Sequence, residues 1–236
     1  TNDSGNFSVG ANLMLLLMSA QEEEWDEVDL AIRQFQGMTQ AIKFSPKPVV
    51  IAPFGMTLGG GAEITLHGSA RQPHSELYIG LVEIGVGLLP GGGGCKEMLL
   101  RAVDSATALR QGTRPSPGGI TDSVELMETM KKAFEAIATA KVATSAHEAR
   151  SLGFLSNSDA ITMNRERVLA DAKARALEMV RTGYEPPMQR SHSPAPVVIM
   201  LATLKMGVHL MRQGEYISDY EVNLGGKIAE VRCGGN

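Results

Sequence analysis

Two acids and two glycine-rich turns are the features of this sequence most able to do chemistry. Residues 57–68 read TLGGGAEITLHG, so three glycines beginning at Gly59 run into Glu63. Glycine lowers helix propensity and costs backbone entropy, which indicates that the backbone itself is needed at this helix start. A second acid, Glu83, stands inside the apolar stretch GLVEIG.

A helix that begins at the glycine triplet presents N–H groups without intrahelical acceptors, and its dipole favours negative charge there. The turn could therefore hold a phosphate or stabilise an oxyanion. The phosphate-loop pattern fails because Gly61 and Ala62 stand where Lys and Ser/Thr are required. The dinucleotide fingerprint also fails, since Pro90 takes the place of its third glycine.

An oxyanion hole needs a second N–H donor and nearby acid/base groups. The turn FSVGAN offers one, because Gly10 lets the backbone approach closely and Ala11 can donate its N–H. Glu63 lies one helical turn after Gly60, so its carboxylate can point to the same side as that amide. A glycine-lined helix crossing with a capped glutamate would show the same pattern.

Each acid also has a structural interpretation. Glu63 could be an ordinary surface acid of a helix, and Glu83 could be the partner of a structural ion pair. A lone acid in apolar surroundings is otherwise expected to have a raised pKa, which suits proton transfer. The glycine run Gly91–Gly94 could be only a loop.

Periodicity and breakers predict an α/β region followed by helices. We expect helices over 25–43, 60–67, about 95–102, 121–141 and about 163–182, a buried strand over 48–55, and turns with short strands over 76–94. Loops are expected over 112–119 and 183–196, and a buried helix over 197–211. Because the first strong strand begins near residue 48, we expect further strands upstream of this chain.

Composition excludes several classes of function. The formal net charge of −4 argues against nucleic-acid or anionic-membrane binding. No apolar run reaches the roughly 18–20 residues of a membrane span. The two cysteines, Cys95 and Cys233, have no metal-ligand spacing and suit a reducing compartment. With no signal-peptide pattern, the sequence predicts a cytoplasmic location.

The segments KPVVIAPFGMTLGGGAEITLHG and GLVEIGVGLLPGGGG resemble the enoyl-CoA hydratase/isomerase (crotonase) family. That family has a Gly-Gly-Gly-x-Glu helix, a second glutamate twenty residues on, and a following Pro-Gly-x-Gly-Gly turn. The segment FSVGANL is similar to its first oxyanion segment, with Asn12 replacing the usual acid, and SAHEARSLGFL (145–155) is similar to a later element. The resemblance covers roughly residues 6–155 and is closest to the hydratase part of bacterial fused 3-hydroxyacyl-CoA dehydrogenase/enoyl-CoA hydratase proteins.

The resemblance implies an α/β, crotonase-like fold, built as a ββα superhelix. It places an N-terminally incomplete catalytic core over residues 1–155 and a mainly helical C-terminal extension over 156–236. The chain therefore resembles a fragment of a longer protein.

The activity implied is hydration of the C2=C3 double bond of 2-enoyl-CoA thioesters in fatty-acid β-oxidation. Glu63 is expected to be the base toward water and Glu83 the acid toward C2, with the reverse assignment left open. The resemblance assigns the oxyanion hole to the N–H groups of Ala11 and Gly60, and substrate contacts to Gly10, Gly59, Pro90 and Gly91.

The implied partner is an acyl-CoA thioester, with coenzyme A entering as part of the substrate and no metal required. NAD would serve only a fused dehydrogenase part outside this chain. Association with copies of itself or with other β-oxidation domains stays open. Two rival hypotheses are an isomerase of the same fold, which can work with one carboxylate, and a non-catalytic structural fragment.

Overall fold

The structure is a computed structural model that describes residues 1–2, 4–111, 120–189 and 197–232. The predicted loop at 112–119, the later part of the predicted connection at 183–196, and Cys233 fall outside the described residues. The chain forms two compact units. The first comprises residues 1–81, 90–94 and 142–189; the second comprises 82–89, 95–141 and 190–236.

The helices and strands follow one another in the order predicted for an α/β region with a helical end. They are α1 (Leu13–Gln21), α2 (Trp25–Lys43), β1 (Val50–Ile51), β2 (Gly55–Leu58), α3 (Gly60–His67), β3 (Ala70–Arg71), β4 (Leu77–Gly80), α4 (Gly94–Gln111), α5 (Ile120–Ala138), α6 (Ala146–Ser151), α7 (Val168–Arg181), α8 (Val197–Gln213) and α9 (Asp219–Arg232). Short 3-10 helices occupy Glu83–Val86 and Arg165–Arg167.

The first unit is built on parallel strand pairs that α3 connects. β1 pairs with β3, and β2 pairs with β4 in a register that sets Gly55 opposite Leu77 and Leu58 opposite Gly80. Between the two pairs, the amide of His74 donates to the carbonyl of Pro53 at 3.0 Å. Because proline has no N–H to give, the strand predicted over 48–55 is interrupted there and resumes through Leu58.

The helix α7 closes one side of the first unit. Its buried Val168 and Ala172 form an apolar cluster with Ala52, against which Val50 also packs. α7 contacts β1, α6 contacts β4, and α2 contacts both α1 and α3. Residues 156–189 therefore contribute directly to the packing around the strands.

A buried ion pair joins β3 to the turn at residue 159. Asp159 accepts hydrogen bonds from the Arg71 backbone N–H at 3.1 Å, from Arg71 Nε at 3.0 Å, and from Ser156 N–H and Oγ at 2.7 and 2.8 Å. Burial works to raise the pKa of Asp159, but the Arg71 guanidinium and the Ser156 donors hold that pKa below its usual value. The carboxylate is thus a fixed acceptor within the fold.

The second unit is helical. α8 and α9 pack against each other, and α5 contacts both. A close approach is visible where the position of a Cβ on Gly225 would lie 3.0 Å from Val208 Cγ2. The prediction of a buried helix over 197–211 holds for one face of α8 only, since Met206 and Leu210 are exposed. Its buried face consists of Met200, Leu204 and Val208.

Helices 25–43 and 60–67 occur at the predicted residues. The helix predicted over 95–102 is longer and runs from Gly94 to Gln111, and the one predicted over 163–182 begins as a separate 3-10 turn before α7. In the portion of the chain that the structure describes, no helix is both long and apolar enough to cross a bilayer.

Candidate functional site

The first glycine turn is reached through a short parallel pairing with β2. The amide of Phe7 donates to the carbonyl of Phe54 at 3.0 Å, and that of Ser8 to Met56 at 3.0 Å. In return, the amide of Leu58 donates to the carbonyl of Ser8 at 2.9 Å. These bonds carry residues 7–8 alongside β2 and deliver the following residues to the N-terminus of α3.

The two glycine turns lie against each other. Gly10 has a φ of +96°, and a Cβ at this position would lie 3.5 Å from the carbonyl oxygen of Leu58 and 4.0 Å from Gly59 Cα. A glycine suits both the positive φ and the close approach. Ala11 follows in an exposed bend. The structure therefore brings together the two turns that were expected to converge.

The second glycine turn positions the start of α3 through a backbone conformation that glycine adopts readily. Gly59 adopts φ 54° and ψ −123°, and its amide donates to the carbonyl of Gly80 at 2.9 Å. Gly60 is the first residue of α3. Its N–H therefore belongs to the first turn of that helix, where the helix itself supplies no carbonyl acceptor. A Cβ on Gly61 would lie 2.7 Å from Ser8 Cβ, which shows how tightly α3 packs on the first glycine turn.

Glu63 points into a buried cradle of backbone N–H groups. Glu63 is only 2% exposed, and its Oε1 accepts hydrogen bonds from the amides of Gly92 and Gly94, each at 2.8 Å. Burial raises the pKa of the Glu63 carboxyl from 4.5 to about 6, while the N–H groups of Gly94 and Gly92 work in the opposite direction. A surface location for Glu63 is therefore wrong.

Residues 90–94, hereafter the glycine loop, wrap this carboxylate and leave no room for a side chain at Gly92 or Gly94. A Cβ on Gly92 would lie 2.2 Å from Phe35 Cε1 and 2.7 Å from Glu63 Oε2. One on Gly94 would lie 3.0 Å from Glu63 Oε1. The glycine run is thus a set of N–H donors for an acid. The expected substrate contacts of Pro90 and Gly91 stay predictions.

Glu83 lies in the second compact unit. It is the first residue of the 3-10 helix Glu83–Val86 and is half-buried, and its carbonyl accepts a hydrogen bond from the amide of Leu88 at 3.0 Å. The expectation that Glu83 works together with Glu63 stays a prediction. The oxyanion role of Ala11 and Gly60 also stays a prediction.

Sequence reasoning missed the residues of α2 that contact the glycine loop. Gln36 and Thr39 donate hydrogen bonds to loop carbonyls, and the Phe35 ring lies against Gly60 and Gly92. A signal existed, since Thr39 is a polar residue between Phe35 and Ile42 on the apolar stripe of the predicted helix. Among the described residues, no three His, Cys, Asp or Glu side chains cluster in a way that could hold a metal ion.

The chain is similar in sequence to known proteins and shares its fold with solved structures. No protein-family model matches the chain. It is 43% identical over 234 residues to a Bacillus subtilis (strain 168) protein provisionally named a 3-hydroxyacyl-CoA dehydrogenase, a match covering 99% of this chain and 27% of that protein. Over 109 residues it is 37% identical to a Rickettsia felis protein provisionally named a fatty acid oxidation complex trifunctional enzyme, covering 46% of this chain and 15% of the relative.

Among solved structures, an enoyl-CoA hydratase from Polaromonas sp. JS666 superposes with a TM-score of 0.54 at 19% identity, over 98% of this chain and 70% of that one. The chain therefore has the crotonase fold, as predicted, and its resemblance to enoyl-CoA hydratases is confirmed at the level of the fold. The chain matches one segment of the Bacillus subtilis relative and spans 27% of that protein's length.

Proposed function

We propose that this chain carries enoyl-CoA hydratase activity and adds water across the C2=C3 bond of 2-enoyl-CoA thioesters in fatty-acid oxidation. The Polaromonas protein that shares the fold is an enoyl-CoA hydratase, and the Rickettsia felis relative is named for a fatty acid oxidation complex. We also propose residues 1–155 as the catalytic core, which holds the reacting groups, and 156–236 as its extension, of which residues 156–189 pack on the strands of that core.

One observation carries the proposal. The Gly10 turn lies against Gly59 at the N-terminus of α3, and one helical turn further on stands the buried Glu63. Preorganised N–H groups beside an acid that titrates near neutrality are what addition of water to a thioester-activated double bond requires.

The proposed mechanism begins with attack of water on C3 of the enoyl thioester. As the C–O bond forms, negative charge moves through C2 onto the thioester oxygen. We assign the N–H groups of Ala11 and Gly60 as its hydrogen-bond donors, each contributing about 3–4 kcal/mol if measured oxyanion donors are a guide. The dipole of α3 acts in the same direction at Gly60.

Glu63 is assigned as the base that removes the proton from water. Both loop amides bind Oε1, so we assign the other oxygen, Oε2, as the one that takes the proton. Glu83, by its place in the resembling motif, is assigned as the acid that protonates C2, and the reverse division stays open. Each transfer is expected to contribute about 10²–10⁴-fold to the rate.

Coenzyme A enters this proposal as part of the substrate. A dehydrogenase activity with NAD, as the name of the Bacillus subtilis relative suggests, would belong to other parts of a longer protein. Self-association or fusion with further β-oxidation domains is compatible with the proposal and does not alter the roles of the residues in this chain.

The test is loss of the enoyl-thioester absorbance of crotonyl-CoA in water without NAD, measured on the native protein that contains this chain. Glu63→Gln is expected to lower kcat at least about 100-fold, since it removes a proton-transfer group. Glu76→Gln is the matched control, because Glu76 is exposed. It should retain the parent rate.

Two outcomes would count against hydration. If no enoyl chain length is hydrated, the proposed reaction is wrong. If Glu83→Gln abolishes double-bond migration while Glu63→Gln leaves it intact, or the reverse, the isomerase hypothesis is favoured, because that reaction can run on one carboxylate.

A further inference from the structure

Two polar side chains of α2 hold the glycine loop from the side opposite Glu63. Gln36 Nε2 donates to the carbonyl oxygen of Gly91 at 2.7 Å. Thr39 Oγ1 lies 2.9 Å from the carbonyl oxygen of Gly92 and 3.0 Å from that of Gln36. Thr39 is completely buried, whereas Gln36 is exposed. The hydroxyl of Thr39 is therefore shielded from competing water.

Peptide geometry links these bonds to the carboxylate. The carbonyl of Gly91 and the N–H of Gly92 belong to one planar trans peptide and point in opposite directions. A donor on that carbonyl therefore orients the N–H that Glu63 Oε1 accepts at 2.8 Å. Thr39 holds the next peptide, between Gly92 and Gly93, by its carbonyl. That peptide immediately precedes the one whose N–H, on Gly94, donates to Glu63.

The Phe35 ring completes the support from α2. It lies against the positions where Gly92 and Gly60 would carry a Cβ, at 2.2 Å and 3.1 Å respectively. The loop thus lies between a helix that binds its carbonyls and a helix whose acid binds its amides. A shift of the loop toward either side would break one set of bonds.

We propose that Gln36 and Thr39 are positioning residues, which hold the glycine loop so that the amides of Gly92 and Gly94 stay on the Glu63 carboxylate. Their effect on catalysis rests on the proposed hydratase function. The positioning itself is a property of the fold and can be measured without turnover.

Loosening the loop changes the balance at Glu63 in one direction. The two amides stabilise the carboxylate, and burial opposes it. If the amides move away, burial acts alone and the pKa of Glu63 rises. Three side chains from other elements lie against the loop glycines: Phe35 of α2, Leu81 just after β4, and the ionisable His67 of α3. The ring of His67 also meets the backbone carbonyl of Glu63.

The test follows the titration of Glu63 by carbon NMR of labelled glutamate carboxyls in the full protein, with the resonance assigned by its loss in Glu63→Gln. Gln36→Leu and Thr39→Val each remove a donor at nearly constant size. Each should raise the pKa of Glu63, by about one unit in the double variant. The imidazole signals of His67, followed in the same samples, separate its titration from that of the acid.

Two variants serve as controls. Thr39→Ser keeps the hydroxyl and should restore the parent titration, and Gln34→Leu changes an exposed neighbour on the same helix and should leave it unchanged. In crotonyl-CoA hydration, the pKa on the acidic side of the pH profile of kcat/KM should rise together with the pKa of Glu63 measured by NMR.

An unshifted Glu63 titration in both donor variants would overturn the positioning role. If Thr39→Val does not fold, Gln36→Leu decides, because its side chain is exposed. A shifted titration in a protein that hydrates no enoyl-CoA would support the positioning and reject the proposed function, so the two failures can be told apart.

Discussion

Glu63 is the residue at which opposing forces are most nearly balanced. Its carboxyl is buried, which favours the neutral acid, but two amides at 2.8 Å favour the anion. The resulting pKa of about 6 brings the titration of Glu63 closer to neutral pH than that of an ordinary glutamate. A base that must take up and release a proton in each turnover benefits from such a value.

The first stability prediction follows from the sign of this shift. The pKa of Glu63 is raised from 4.5 to about 6, so its contribution to stability is fully present below pH 4.5 and is lost as pH rises through 6. Relative to Glu63→Gln, the parent protein should lose about 2 kcal/mol of unfolding free energy between about pH 4 and pH 8. Urea unfolding of both proteins across this range measures the difference.

Comparison with a variant removes the titration of other groups from the result. Glu76→Gln, at an exposed position, controls for the substitution of a glutamate as such. A Glu63→Gln difference that does not change with pH would contradict the raised pKa. A parent protein that becomes less stable relative to Glu63→Gln as the pH falls would mean that the amides outweigh burial.

At the scale of elements, the contact between the first turn and α3 depends on glycines that admit no side chain. A Cβ on Gly61 would lie 2.7 Å from Ser8 Cβ and 3.1 Å from its carbonyl oxygen. Alanine is normally the better helix former, so a penalty at this position can come only from the contact. Gly37, within α2, has nothing within 4 Å of its Cβ position.

This pair of glycines gives opposite expectations for the same substitution. Gly61→Ala should lower the free energy of unfolding by about 1–3 kcal/mol through overpacking, and should slow hydration by displacing the Gly10 turn. Gly37→Ala should raise it by about 0.5–1 kcal/mol and leave hydration unchanged. Equal stabilisation by both, in denaturant melts, would mean that the first turn is not packed on α3.

Local sequence patterns predicted the elements better than their contacts. The amphipathic repeat gave the helix 25–43, and the change from a β-branched run to the glycine triplet gave α3. The strand at 48–55 was predicted without its break, since the effect of Pro53 depends on which neighbour needs its N–H. The length of α4 was underestimated because its later residues carry weaker periodicity.

The site was predictable in its types of residue but not in its hydrogen bonds. The glycine triplet and Glu63 are adjacent in sequence, so their roles follow from local geometry. The donors to Glu63 come from positions 29 and 31 residues away, and Thr39 reaches its loop carbonyl across 53 residues. No periodicity encodes a pairing at such separations, which only tertiary packing selects.

At the scale of the whole molecule, both units are assembled from separated stretches of chain. The last stretch of the first unit, 142–189, crosses the division at residue 155 that was expected between core and extension. It supplies Asp159 to Arg71 and Val168 to the cluster around Ala52. Tyr184 adds a hydrogen bond of 2.8 Å between its hydroxyl and Ser69 Oγ. The strands therefore depend on residues downstream of the division.

Two truncations test this dependence. Residues 1–155 lack Asp159, which makes charged hydrogen bonds, and Val168, which is buried in the apolar cluster. Each of these contributions is worth about 1.5–3 kcal/mol. The total stability of a domain is only about 5–15 kcal/mol. Residues 1–189 keep every stretch of the first unit. Hydrogen exchange should find the amide of Gln72, which donates to Ile51 at 2.8 Å, protected in 1–189 and rapidly exchanging in 1–155. Protection retained in 1–155 would instead favour a core that is complete at residue 155.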